Sequence, residues 1–116
     1  MNITTIASRK GELSRYSREG EGKIARLSDF LDLMGACPAE TIVLDRDDIV
    51  EAFFDLKSGL AGDFLQKIST YRRRLIILGD LSDIPGKALK DFIYESNRTG
   101  KVIFASDLEN AIDLLR

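Results

Sequence analysis

The residues with most chemistry to offer form one short run, Asp55-Leu56-Lys57-Ser58-Gly59-Leu60-Ala61-Gly62. It brings a hydroxyl and an ammonium between the carboxylates of Asp55 and Asp63. The run lies between an apolar strand and an amphipathic helix, so it should open a helix N-terminus. Backbone N–H groups there lack intrahelical partners and can meet an anion, a phosphate or a partner's carboxylate. The helix macrodipole adds a modest attraction for negative charge. Asp55, Lys57, Ser58 and Gly59 are therefore the candidate partner- or anion-binding residues. Ser58 has two readings. It is a helix cap contributing roughly 1 kcal/mol, or a phosphoacceptor whose modification adds about −1.5 to −2 charges. With no base beside it Ser58 is a poor nucleophile, and the run holds no complete catalytic set.

Elsewhere the chemistry is more dispersed. Asp45, Asp80 and Asp107 follow apolar runs, with Asp47 and Asp48 close to the first. Carboxylates at strand ends suit a hard cation such as Mg²⁺, but Asp also terminates strands and caps turns and helices. No metal site is assigned. The cluster Tyr71-Arg72-Arg73-Arg74 reads either as a grip on phosphate or an acidic partner, or as a solvated junction that places cations at a helix C-terminus. Asp91, Glu95, Asn97 and Arg98 are read as structural residues on the polar side of a helix or at its exit. Cys37 stands alone, which excludes an internal disulfide and a CxxC motif and suits a reducing cytoplasm. It reads as a small packed hydrophobe rather than a reactive thiol.

Histidine is absent. That removes the usual general base, the usual triad and the commonest zinc ligand together. A formal charge of −2 gives no electrostatic case for nucleic acid. No apolar run is long enough to span a bilayer, and residues 1–23 are too polar for a signal peptide. At 116 residues the chain is expected to form one domain, residues 1–116, burying roughly two-thirds of its unfolded surface.

The elements that must position these groups follow from periodicity. Residues 2–7 are β-branched and residues 12–17 alternate, which predicts an N-terminal hairpin. Residues 18–23 are charged and glycine-rich, a loop. Ile24, Leu27, Phe30, Leu31 and Met34 recur at helical spacing, ended by Gly35 and Pro38. The runs 41–44, 75–78 and 102–105 are short, apolar and partly β-branched, as strands covered on both faces are. Phe53 and Phe54 anchor an irregular stretch between the first of these and a helix over 59–71. Leu89, Phe92 and Ile93 mark a third helix, stopped near Gly100. Ser106 or Asp107 caps a fourth, with Leu108, Ala111, Ile112 and Leu115 inward. The order β-β-α-β-α-β-α-β-α predicts an α/β fold with a mainly parallel sheet, right-handed crossovers and an antiparallel N-terminal edge.

Phe53-Phe54-Asp55-Leu56-Lys57-Ser58-Gly59-Leu60-Ala61-Gly62 resembles the signature of a bacterial family, domain of unknown function 4180. The likeness continues through Leu65-Gln66-Lys67, Tyr71-Arg72, Gly79-Asp80, residues 91–98 and Ser106-Asp107-Leu108, and covers about residues 29–115. By itself it implies no particular activity. More distantly, the element order is similar to the STAS fold of sulfate transporters and anti-sigma factor antagonists. In STAS regulators Asp-Ser-Ser/Thr-Gly-Leu opens the second helix, and the first hydroxyl accepts a phosphate from a kinase. Here the run carries one extra residue. Aligned on Gly59-Leu60, Lys57 takes the acceptor position and Ser58 the neighbouring one.

Together these features lead to the expectation of a single STAS-like domain in the cytoplasm, non-enzymatic and regulatory. It would bind another protein through residues 53–68, without a cofactor, nucleic acid or membrane. Homo-oligomers stay open. The competing expectation is a small-molecule, nucleotide or anion sensor at the same helix N-terminus.

Overall fold

Three apolar runs of four residues supply three adjacent strands of the five-stranded sheet. β3 (Thr41–Asp45), β4 (Arg74–Leu78) and β5 (Val102–Ala105) lie side by side as parallel strands. Val43 stands opposite Ile76, and Ile76 opposite Ile103. On the other side β3 pairs in parallel with β2 (Leu13–Ser17), which pairs antiparallel with β1 (Asn2–Ile6) at the edge. The computed structural model describes residues 1–84 and 86–116. The expected loop up to Gly86 thus contains one residue, Pro85, outside the described set.

The strands follow one another across the sheet in chain order. Right-handed crossovers that all step the same way must place their helices on one face. α1 (Leu27–Ala36), α2 (Leu60–Thr70) and α3 (Lys87–Thr99) accordingly share that face, over Ile42, Leu44, Leu75, Ile77, Val102 and Phe104. α4 (Leu108–Leu114) covers the opposite face, where Ala111, Ile112 and Leu115 meet Val43, Ile76, Leu78 and Ile103. Strands buried on both faces need apolar residues at successive positions, which is why these runs do not alternate.

An aromatic cluster holds the irregular stretch after β3 to this core. Phe30 of α1 stacks on Phe64 of α2 with centroids 4.3 Å apart. Phe53 packs against Phe54, Phe64 and Phe104, with its side chain fully buried. Burial of each such ring contributes about 1.5–3 kcal/mol, so the stretch is fixed although it contains only short 3₁₀ turns.

Two boundaries differ from the periodicity. Ile24 has the spacing of the α1 stripe yet is not helical; its N–H donates to Asp48 O and its carbonyl accepts from Val50 N, forming a bridge with Ile49. The helix begins later because Asp29 Oδ2 accepts from the backbone N–H groups of Ala25 (3.0 Å) and Arg26 (3.1 Å), capping the first turn. α1 also runs through Gly35 to Ala36, since a helix-interior glycine costs only about 1 kcal/mol.

Candidate functional site

The chain leaves β3 through 3₁₀ turns at Arg46–Asp48, Glu51–Phe54 and Leu56–Ser58 before α2 begins. Phe53 and Phe54 point into the core, which presents Asp55, Leu56, Lys57 and Ser58 to solvent. Local hydrogen bonds then fix this turn. Asp55 Oδ1 accepts from Lys57 N at 3.1 Å, and the Ser58 hydroxyl donates to Ala52 O at 2.6 Å. Gly59 takes the left-handed conformation, φ +79°, that reverses the chain between the 3₁₀ turn and α2. A Cβ there costs roughly 1–2 kcal/mol.

Ser58 is therefore not the N-cap. Gly59 occupies that position, and Ser58 Oγ accepts instead from the N–H of Leu60, the first residue of α2, at 3.2 Å. The reason is geometric, since the 3₁₀ turn must end in a left-handed residue before the helix can start. Asp55, Lys57, Ser58 and Gly59 do come together on one exposed turn. The Ser58 hydroxyl is committed at both its donor and one acceptor position.

The strand-end aspartates are spent separately. Asp45 pairs with Arg15 at 2.8 Å, Asp80 Oδ1 accepts from Ser82 N at 2.9 Å, and Asp107 Oδ1 caps α4 by accepting from Asn110 N at 2.9 Å. Asp48 is buried and accepts from Asp45 N at 3.2 Å. Its burial raises the carboxyl above the usual Asp value, and Asp45 and Asp47 add to the rise against Arg18. Among the described residues no three acidic, Cys or His side chains converge as a metal site. Arg46 ties two of these strand ends together, donating to Asp80 O and to Asp83 Oδ1 (2.7 Å) while lying 5.3 Å over the Phe54 ring.

The arginine cluster divides in the same way. Arg73 turns inward and donates to Met34 O (3.1 Å), Cys37 O (2.9 Å) and Ala39 O (2.7 Å), closing the C-terminus of α1. Arg74 meets Glu40 at 3.5 Å. Arg72 is the exposed member of the three, in a left-handed conformation at φ +54°, and its guanidinium makes no hydrogen bond or ion pair among the described residues. It follows the α2 cap Tyr71 in a Schellman arrangement, with Arg72 N donating to Ser69 O and Arg73 N to Ile68 O. Cys37 is buried, and burial pushes its thiol up, so it stays protonated at neutral pH.

A concavity of about 580 Å³ lies away from the Ser58 turn, between α2 and α3. Its lining residues Leu65, Ile68, Phe92 and Val102 read in sequence as ordinary core positions, so periodicity alone does not mark it.

No curated protein and no solved structure matches this chain in comparison. The family model described as "Domain of unknown function (DUF4180)" matches residues 14–115, from β2 to the end of α4. That span includes the Ser58 turn, the Arg72 cluster and the α2–α3 groove, and the chain belongs to this family.

Proposed function

We propose that the domain is a non-enzymatic regulatory module that binds another protein through the turn at 55–59 and the exposed side of α2. One observation carries this reading: the turn is locked from within yet turns Leu56 and Lys57 outward. Leu56 remains 36% exposed, an apolar side chain on a fixed loop. Backbone and side-chain bonds at Asp55 and Ser58 already hold the loop, so a partner would meet a pre-organised surface and lose little ordering entropy. The Ser58 hydroxyl donates to a backbone carbonyl rather than to a base, which favours recognition over nucleophilic chemistry. A phosphate on Ser58 would release Ala52 O and set a dianion beside Lys57, making modification a switch on the same surface.

Kinship with STAS regulators and residence in the cytoplasm belong to this proposal, resting on element order and on the Asp55–Leu60 run. No described helix is long and apolar enough to cross a membrane. A photo-reactive residue placed at Leu56 and irradiated in the native host should give a discrete protein adduct. Placed at exposed Glu12 it should give none. No adduct at Leu56, or the same adduct at both positions, overturns the reading.

A further inference from the structure

α2 packs on α1 and β4, while α3 packs on β5, and the two helices leave a groove between them. Its floor is apolar, made by Leu65 and Ile68 from α2, Phe92 from α3 and Val102 from β5. Its mouth is cationic, bordered by Arg72, Arg73, Arg74 and Lys101. Glu95 is the carboxylate in the lining, and Arg98 pairs with it at 3.0 Å. A volume of about 580 Å³ lies in the range of small-ligand sites, which join apolar walls to a few convergent polar groups.

The cations are not equally available. Arg73 is spent on the carbonyls that end α1. Arg74 has one long contact to Glu40, and Lys101 Nζ donates to Arg116 O at 2.7 Å. Arg72 is the most available, and it occupies the position after a helix cap where glycine is usual. The backbone gains nothing from an arginine there, whereas the groove gains a charge at its rim.

We propose that this groove binds a soluble amphiphilic organic anion, its apolar body on Leu65, Ile68, Phe92 and Val102 and its head against Arg72, Arg74 and Lys101. The charge complementarity selects one anionic head group, and the recessed apolar floor between α2 and α3 selects an aliphatic or aromatic body rather than a flat protein face. This site is separate from the Ser58 turn and stands or falls independently of it.

Titration of the isotopically labelled full chain with octanoate, kept below its micelle concentration, tests the proposal by amide chemical shifts. The shifts should concentrate on Leu65, Ile68, Ser69, Phe92 and Val102. Octanol, which lacks the charge, should bind at least about fivefold more weakly, the size of one partly exposed charge contact. Arg72→Gly should weaken octanoate about fivefold and leave octanol unchanged, with no loss of melting temperature because glycine suits that backbone. Thr99→Glu, which adds a carboxylate at the exposed rim, should weaken octanoate as well. The proposal is overturned by absent or scattered shifts, by equal binding of octanoate and octanol, or by an Arg72→Gly variant that binds as the parent does. It is also overturned if sedimentation shows a dimer that covers these residues, or if an acidic peptide binds the groove and octanoate does not.

Discussion

The side chain of Asn97 holds both backbone groups of Phe104: its Nδ2 donates to Phe104 O at 3.0 Å, and its Oδ1 accepts from Phe104 N at 2.7 Å. In a strand, the N–H and C=O of one residue point to the same side, and β5 is the edge of the sheet. Phe104 therefore turns both groups away from β4, where α3 supplies one amide to satisfy them. Ser96 adds a bond from its hydroxyl to Val102 O. The edge is closed to pairing with another chain.

Asn97→Leu should destabilise the domain by about 2 kcal/mol, because it leaves two partly buried backbone groups unpaired. Urea unfolding measures the loss. The same variant should self-associate more readily at high concentration, since the freed edge can pair with a second chain. Unchanged unfolding would mean that water replaces Asn97 at little cost.

Arg73→Ala should cost about 2 kcal/mol, the scale of removing charge-assisted hydrogen bonds to the carbonyls of Cys37 and Ala39 and to Met34 O, which keeps only a long bond from Cys37 N. Arg72→Ala, one residue away, should change stability by less than about 0.5 kcal/mol, as substitutions of exposed residues do. Chemical denaturation of both variants checks the contrast. Equal effects would contradict the inward assignment of Arg73.

Asp29 and Asp48 should tilt the pH dependence in opposite directions. Hydrogen bonds from Ala25 and Arg26 hold the Asp29 carboxyl below its usual value. Its stabilisation is present above the unfolded Asp value and lost as pH falls through the folded one. Asp29→Ala should therefore cost about 1 kcal/mol at neutral pH and progressively less in acid. Burial raises Asp48, so its contribution is present below the unfolded value and lost as pH rises through the folded one. Asp48→Asn should gain on the parent above the ordinary Asp range and lose that advantage in acid. Denaturation at a series of pH values separates the two signs.

Gly79→Ala should destabilise the domain by about 1–3 kcal/mol. A Cβ at Gly79 would lie 2.9 Å from Cβ of Arg46, and its φ of +152° is one that side chains rarely adopt. The Arg46 side chain bridges the β3 and β4 exits, so its displacement should also release Asp83. Thermal unfolding of the variant measures the effect.

Much of this was legible in the residues because local and global preferences agree. Short runs such as Thr41-Ile42-Val43-Leu44 have no stable place except inside a sheet covered twice, and their spacing leaves room for one helix each. Ile24 misled because an apolar residue at helical spacing serves equally well in a bridge, and the cap that excludes it depends on where Asp29 points. Arg73 read as part of a solvated run because the open end of α1 is a neighbour only in space. Asn97 reads in sequence as a structural residue near the exit of a helix, and its partner Phe104 is a neighbour that only the fold supplies. The exposed turn at 55–59 was visible from its glycine and hydroxyl, whereas the groove joins Leu65 to Val102 across distant parts of the chain and carries no local signature.

The proposed binding role is tested most directly by quantitative affinity capture from the native host, comparing the parent with Lys57→Glu and Glu12→Lys. Lys57 lies on the proposed surface, and Glu12 is exposed near the N-terminal hairpin turn. A specific protein should be retained by the parent and by Glu12→Lys and lost with Lys57→Glu, although all three melt alike. Equal retention by Lys57→Glu, or no protein retained above background by the parent, would contradict it.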